Sequence, residues 1–279
     1  MKTPVTALIF LACVSPLAAA QEPTSAPAEP TPAPPSTVEN RLLFSADGAW
    51  LTGGSGGGGA AALWSHVFAP QDVLSAGAEY QQIANSHWTN GILGGSVALG
   101  SGTPAAALYG EAHEGAGDIG THAFHYSVVT ARLLYPPSQW LTVQLEERRI
   151  DVDTSHGNLP KLGLSFRVAK PLLLSVSYAD TAGGNLGTHL ASLRLDYTGS
   201  ALNALAGAAE GRAAPAVLNL LGQVVQPSPK LTEIFAGFGH RFGRADWQLL
   251  GDYQDIEGFK RTTVTLLCTL HFEGRGRPP

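Results

Sequence analysis

Charged residues are scarce in this sequence, at 14% of the 279 residues, where an ordinary soluble domain has about 25%. Between Glu79 and Glu111 there is no Asp, Glu, Lys or Arg, although Gly, Ser, Thr and Asn are frequent there. A surface in contact with water normally carries more charge, which argues against a soluble domain. A basic excess is also lacking, since the formal net charge is −5, and no nucleic-acid-binding surface is expected.

Cysteine and long apolar runs are lacking as well. The 2 cysteines are Cys13 and Cys268, and cleavage of an N-terminal segment would leave only Cys268, so no intramolecular disulfide could form. Beyond that segment no apolar run reaches the roughly 18 residues that a membrane-spanning helix needs. Few charges, many glycines and no spanning helix favour a chain that crosses a bilayer with strands, because a closed barrel satisfies every backbone hydrogen bond in hydrocarbon.

The first forty residues predict export. Lys2 precedes an apolar run from Val5 to Leu17 and three alanines, which is the pattern of a secretory signal peptide cleaved after Ala20. The proline-rich stretch that follows can neither pair as a strand nor continue a helix. The predicted organisation is a signal peptide at 1–20, a periplasmic linker at 21–39, a barrel at 40–272 and a C-terminal tail at 273–279.

Segments of about 9 to 13 residues with alternating apolar and polar side chains recur after the linker, and this length suits a tilted strand that crosses hydrocarbon. In 139–150, for example, Leu141, Val143 and Leu145 share one face, and polar residues share the other. The pattern recurs in 161–170, 189–197 and 261–272. We count about fourteen strands, with 12–16 open. Residues 201–214 have helical spacing and fit a periplasmic excursion or a misdivided strand pair.

Aromatic residues flank two short turns, Tyr135 and Trp140 around "PPSQ", and Phe242 and Trp247 around "GRAD". With Phe272 they are predicted to lie at a membrane interface. Short connections near 69–72, 100–104, 135–138, 169–170 and 243–246 are predicted to face the periplasm. Longer polar ones near 52–59, 84–90, 114–121, 151–159 and 180–187 are predicted to be external loops. A periplasmic N-terminal linker and a last strand that runs inward then require an even strand number.

Over residues 40–272 the sequence resembles Gram-negative outer-membrane β-barrel proteins. The resemblance rests on the signal peptide that precedes this range, the dyad repeat, the aromatics beside the turns and the closing segment. The resemblance implies an all-β fold, a transmembrane antiparallel up-and-down β-barrel located in the outer membrane. It also implies outer-membrane lipid and the barrel-assembly machinery as partners, and the proline-rich segment is a candidate binding segment for a periplasmic partner. The chain departs from the class after Phe272, since that class commonly ends on a terminal aromatic, and "EGRGRPP" follows here.

Polar residues on the inward face of the predicted strands define a candidate pore lining. Charges there cost little in a watery lumen, whereas on the lipid face each would cost about 2–4 kcal/mol. Both signs are present, so mild selectivity is expected. The sequence therefore predicts a pore or an export or uptake channel for a small or polymeric solute, and a closed barrel with an anchor or scaffold role stays open. The predicted lining residues are Glu79, Gln144, Glu146, Arg148, Lys161, Arg167, Arg194, Asp196, Asp252 and Arg261.

His125 and Ser127 are the candidate catalytic pair. They lie two residues apart and therefore project from the same face of a strand. The pair resembles the His-x-Ser of outer-membrane lipid A deacylases, which implies a lipid-modifying hydrolase as the alternative function. An orienting acid, Glu146 or Glu147, would then have to come from the neighbouring strand.

Histidines concentrate at the predicted external end together with acids, a combination that can bind zinc or copper. His113, His122 and His156 are the candidate metal ligands, although their spacing matches no known metal motif, and no cofactor is expected. The histidines predicted for the external end are His87, His113, His122, His125, His156 and His189.

Overall fold

The computed structural model describes residues 39–52, 56–69, 71–83, 86–100, 105–152, 155–212, 230–257 and 259–273, so the predicted signal peptide and most of the linker lie outside the described residues. Within these ranges no helix is long and apolar enough to cross a membrane. The strands are β1 Glu39–Leu51, β2 Gly56–Ala69, β3 Asp72–Ile83, β4 Ser86–Leu99, β5 Ala106–Ile119, β6 His122–Ser138, β7 Leu141–Val152, β8 Ser155–Ala169, β9 Leu172–Asp180, β10 Ala182–Gly184, β11 His189–Thr198, β12 Leu202–Arg212, β13 Lys230–Phe242, β14 Ala245–Ile256 and β15 Phe259–Glu273.

Every strand except β10 belongs to one closed antiparallel barrel of fourteen strands. Each strand pairs with its neighbours along the chain, and β1 closes the ring on β15 over a continuous register from Glu39↔Glu273 to Leu51↔Arg261. The three-residue β10 pairs with the end of β8. The predicted all-β antiparallel barrel and its count of fourteen strands are confirmed, and the ambiguous stretch 201–214 forms strand β12 over Leu202–Arg212.

Most connections are short at both ends of the barrel. We call the end where β1 begins and β15 ends the terminal end, and the other the distal end. Short connections join strands at the terminal end, as predicted, although β6 extends to Ser138, so that the turn before β7 is Gln139–Trp140 rather than 135–138. At the distal end, the predicted long loops 52–59, 84–90, 114–121 and 151–159 are wrong. The strands continue through most of these residues and leave connections of two to four residues.

Glycine accounts for two of these errors, because the glycine-rich segments 52–59 and 114–121 suggest loops although most of their residues belong to β2 and β5. Glycines at inward positions make room for large neighbouring side chains. A Cβ at Gly59 would lie 2.2 Å from the side-chain amide carbon of Gln81, and one at Gly117 would lie 2.7 Å from the Phe124 ring. Glycine therefore permits close packing inside the distal half of the barrel.

The outer face is apolar and the inner face is mixed. Leu145, Leu162, Leu193 and Phe238 lie outward and are half exposed, as expected for side chains that face lipid. The five predicted interface aromatics are all exposed and lie at the terminal end. Their contact with a membrane surface stays a prediction. They are Tyr135, Trp140, Phe242, Trp247 and Phe272.

Candidate functional site: the barrel interior

The interior of the barrel collects the polar side chains of the strands. Alternation along each strand turns every second residue inward, and the cross-strand register brings the inward residues of neighbouring strands side by side. All ten predicted lining residues face inward, opposite exposed apolar neighbours such as Leu145 and Leu162. Their role in lining a pore remains a prediction.

Glu146 on β7 is the centre of a buried ion-pair network. Its carboxylate accepts hydrogen bonds from Arg132 Nε at 2.8 Å, from Gln144 Nε2 at 3.0 Å and from an Arg148 terminal nitrogen at 3.1 Å. Only 3% of its side chain is exposed, and the carboxylate faces two guanidinium groups. One acid shared between two arginines leaves this wall of the interior positively charged.

On β1 and β3, acids lie against a neutral amide rather than a cation. Gln81 Nε2 donates to Asp47 Oδ1 at 2.9 Å and to Glu79 Oε1 at 3.2 Å. Nearby on β5, His113 Nε2 lies 2.8 Å from Glu111 Oε1. Because an amide carries no charge, Gln81 holds the two carboxylates in place without neutralising them.

A third group of inward polar residues lies on β13, β14 and β15. The Gln254 amide donates to Glu233 at 3.2 Å, while Asp252 has Arg261 at 3.8 Å, too long for a hydrogen bond. Arg261 is almost completely buried, with 1% of its side chain exposed. This wall therefore contains two acids and one buried cation.

The interior is filled unevenly. Buried apolar residues from β15, β1, β2 and β4, namely Leu267, Leu43, Leu63 and Ile92, form a packed cluster on one side. The side formed by β8, β9 and β11 carries half-buried serines instead, which pair across strands. The hydroxyl oxygens of Ser165 and Ser175 are 2.8 Å apart, and those of Ser177 and Ser192 are 2.7 Å apart. This side therefore carries small side chains with hydroxyl groups where the opposite side carries packed apolar ones.

The connection between β9 and β11 folds over the distal mouth. Leu186 in this connection is fully buried, and a Cβ at the inward-facing Gly157 would lie 2.7 Å from Leu186 Cγ. The connection is held by hydrogen bonds between Thr181 and Thr188 and by the short pairing of β10 with β8. Leu186 therefore narrows the interior next to β8.

At the terminal end a charged network crosses the seam between the first and last strands. His271 on β15 bonds through Nδ1 to Glu39 of β1 and through Nε2 to Asp246 of β14, the latter at 2.9 Å. Arg41 adds a 2.9 Å bond to Glu39, and Arg241 forms two bonds to Asp246 at 2.7 and 2.8 Å. Sequence reasoning missed this network, because Glu39 and His271 are 232 residues apart and meet only when the ring closes.

Four further inward charges were missed along the strands, Asp47, Glu111, Arg132 and Glu233. The signal that could have found them is the cost of placing charge against lipid. That cost favours an inward position for a charge in the middle of a membrane-crossing strand, which holds for these four residues, although Glu147 in the middle of β7 faces outward.

The candidate catalytic pair lies on the outer surface. His125 and Ser127 share one face, as predicted, and that face points outward near the distal end. The predicted acid is wrong, since Glu146 lies inside and bonds to arginines, and Glu147 does not contact His125 in the structure. Glu114 of β5 takes that position instead, with its carboxylate oxygen 2.6 Å from His125 Nε2 and its backbone paired with Ser127.

The candidate metal ligands are not brought together. His113 faces the interior in the middle of β5, whereas His122 begins β6 and His156 points outward from β8. The placement of His113 at the external end is therefore wrong. Throughout the described part of the chain, no three His, Cys, Asp or Glu side chains are grouped so that they could hold a metal ion.

Comparison with models of known protein families and with curated protein sequences gives no match. Solved structures do match the fold. The CymD monoaromatic hydrocarbon channel aligns with a TM-score of 0.56 at 10% identity, over 86% of this chain and 89% of that chain. The Pseudomonas putida toluene transporter TodX aligns with a TM-score of 0.52 at 8% identity, over 86% and 89%. A TodX deltaS2S3 mutant gives 0.55 at 9%, over 86% and 91%. The chain thus has the closed barrel fold of outer-membrane channels.

Proposed function

We propose that this protein is an outer-membrane channel through which small hydrophilic solutes pass. The observation that carries the proposal is a closed barrel whose outer face is apolar and whose inner face holds hydrogen-bonded charges. The fold shared with CymD and TodX, described as a hydrocarbon channel and a toluene transporter, supports a channel role. The charged interior favours polar solutes, because a hydrocarbon gains nothing from displacing water around charges.

The proposed location and assembly follow from the same features. The N-terminal 20 residues direct export, the proline-rich linker lies in the periplasm, and the barrel-assembly machinery inserts the strands among outer-membrane lipids. The terminal end, where the linker joins β1, then faces the periplasm. The linker is the candidate binding segment for a periplasmic partner.

The solute route runs along the serine-lined side of the interior, between β8 and β11. Ser177→Trp would place a large ring in that space, whereas Val176→Trp, one residue away, points outward. In planar lipid bilayers we expect discrete conductance steps from the wild type and from Val176→Trp. We expect Ser177→Trp to conduct at about half the wild-type level or less. Heat-modifiable gel migration verifies that each variant is a folded barrel.

A folded, heat-modifiable wild-type barrel that produces no conductance would refute the channel and favour the scaffold role. Equal conductance in all three proteins would place the route elsewhere in the interior. Both outcomes are distinguishable from misfolding, because the gel reports folding independently of conductance.

A second candidate function is hydrolysis of a lipid ester at the outer surface, and the Glu114–His125 pair supports it. Glu114 can orient His125, which in turn can accept the proton of Ser127 when its hydroxyl attacks an ester carbonyl and the lipid alcohol leaves; water then releases the acyl group. We propose to incubate the protein with lipid A and phospholipid vesicles and to measure released fatty acid. Release that is lost in Ser127→Ala and retained in Ser165→Ala, an inward serine, would establish this function.

A further inference from the structure

The charges inside the barrel are segregated by sign around the ring. From β6 to β11 the inward charges are five cations and two acids, a net charge of +3. From β13 through β15 and β1 to β3 the mid-barrel titratable residues are four acids and one cation, a formal net charge of −3. The first set is Arg132, Glu146, Arg148, Lys161, Arg167, Arg194 and Asp196, and the second is Asp47, Glu79, Glu233, Asp252 and Arg261.

These two arcs lie across the interior from each other. In a ring of fourteen strands, β8 at the centre of the positive arc is seven strands from β1, which is half the circumference. The terminal-end network adds two arginines and two acids near the mouth and leaves this balance unchanged. Glu111 on β5 lies between the arcs beside His113.

The opposed charges also lie at one depth. Arg148 and Lys161 are seven and eight residues from the terminal ends of β7 and β8. Asp47, Glu79 and Asp252 are eight, seven and seven residues from the terminal ends of β1, β3 and β14. Since the strands rise at similar rates, the two signs form opposite walls of the same cross-section.

Local pairing does not cancel this separation. In the positive arc, Glu146 serves both Arg132 and Arg148, so a cation is in excess. In the negative arc, Asp47 and Glu79 accept hydrogen bonds from the neutral amide of Gln81. The field therefore runs across the lumen rather than along it, and low-dielectric walls concentrate it.

We propose that this transverse field makes the channel prefer small zwitterions, solutes that carry an ammonium and a carboxylate on one short skeleton. This inference rests on the channel function proposed above. A monovalent ion is attracted by one wall and repelled by the other, so salt selectivity is weak. A zwitterion can turn its carboxylate toward the β6–β11 arc and its ammonium toward the β13–β3 arc, so that both walls attract it.

The test compares β-alanine with lactamide, since the two share one molecular formula and only β-alanine is zwitterionic. Flux into proteoliposomes is measured at about 10 mM ionic strength, where charges act over roughly 30 Å. We expect the wild type to pass β-alanine at least about threefold faster than lactamide. Its reversal potential in a KCl gradient should lie near zero.

Three variants separate the walls. A positive-wall variant carries Arg148→Gln and Lys161→Gln, a negative-wall variant carries Asp47→Asn and Glu79→Gln, and a two-wall variant carries all four. The single-wall variants should become cation-selective and anion-selective respectively, with a β-alanine to lactamide ratio near one. The two-wall variant keeps the wild-type net charge and should lose the ratio without gaining ion selectivity. Lys230→Gln with Lys260→Gln removes two outward cations and should change neither quantity.

A wild-type ratio near one in a conducting channel, or a two-wall variant that keeps the wild-type ratio, overturns the zwitterion preference and leaves the channel function standing. Absence of flux for both solutes from folded protein refutes the channel itself. Heat-modifiable migration identifies folded variants. If the four substitutions together prevent folding, the pair Lys161→Gln and Asp47→Asn tests the same point with one substitution per wall and the net charge unchanged.

Discussion

The assignment of inner and outer faces predicts that one added arginine is far more costly at residue 193 than at residue 192. Leu193 on β11 points outward and is 49% exposed, while the neighbouring Ser192 points inward and bonds to Ser177 at 2.7 Å. Leu193 lies four residues from Tyr197, an outward aromatic near the terminal end. With a rise of about 3.4 Å per residue and a tilt of about 40°, this places it roughly 10 Å deeper.

That depth is close to the middle of an apolar band about 25 Å tall, so Leu193→Arg should destabilise the barrel by about 2–4 kcal/mol. Such a change raises the unfolding equilibrium constant about 30- to 700-fold. Ser192→Arg adds the same charge to the same strand but points into the interior among small side chains. It loses one hydroxyl hydrogen bond, which costs about 1 kcal/mol.

The measurement is denaturant unfolding of barrels folded into phospholipid vesicles, followed by tryptophan fluorescence and by heat-modifiable migration. The ratio of the two effects is the informative quantity, because errors in extrapolation to zero denaturant affect both variants alike. Equal costs at the two positions, or a greater cost at residue 192, would mean that the outer face of β11 does not meet hydrocarbon. The membrane orientation of every strand would then have to be abandoned.

Three further results are expected from the same unfolding and conductance assays. Glu146→Gln leaves Arg132 and Arg148 without their shared carboxylate and should cost about 3 kcal/mol. Glu210→Gln, an exposed acid near the distal end of β12 that pairs with Lys230, should cost under about 0.5 kcal/mol. Similar values for the two variants would contradict the buried network. His271→Ala removes the bridge between Glu39 and Asp246 and should lower the free energy of unfolding by about 1–2 kcal/mol. The control His240→Ala loses only a contact with the Phe242 ring, and its effect should be less than half as large. Equal losses would show that the seam network contributes little. Gly157→Ala directs a Cβ at Leu186 and should displace that side chain, so that the conductance or its fluctuation rises. Gly110→Ala, whose Cβ would meet no atom within 4 Å, should change neither. Unchanged conductance in both variants would mean that Leu186 does not narrow the route.

Strand number and face assignment could be predicted from the sequence because both follow from local rules. A period of two fixes which residues share a face, and the high cost of charge in hydrocarbon decides which face is inside. Leu141, Val143 and Leu145 on one side of β7, with Gln144 and Glu146 on the other, satisfy both rules, whereas Glu147 on the outer side departs from the second. The same rules hold for β12, where helical spacing competes with the strand period and tertiary pairing with β11 and β13 decides the outcome.

The distal parts of β2 and β5 could not be predicted, because glycine has two opposite uses. In a loop it provides backbone freedom, and in a crowded strand it leaves space for a neighbour, as Gly59 does for Gln81. Which of the two uses a glycine has can be decided only when the residue that faces it on the neighbouring strand is known. The partner of His125 escaped prediction for the same reason, since Glu114 reaches it through the register of β5 with β6 rather than through sequence proximity.

The separation of charge across the lumen is harder still to predict from the sequence, because it depends on which strands lie half a circumference apart. Asp47 on β1 and Lys161 on β8 are opposed only because the ring has fourteen members. With twelve strands the element opposite β8 would be a different one, and the same residues could lie obliquely or side by side. Ring size therefore acts on selectivity directly, and inserting or deleting one hairpin would rotate one wall against the other without changing a single charged residue in either.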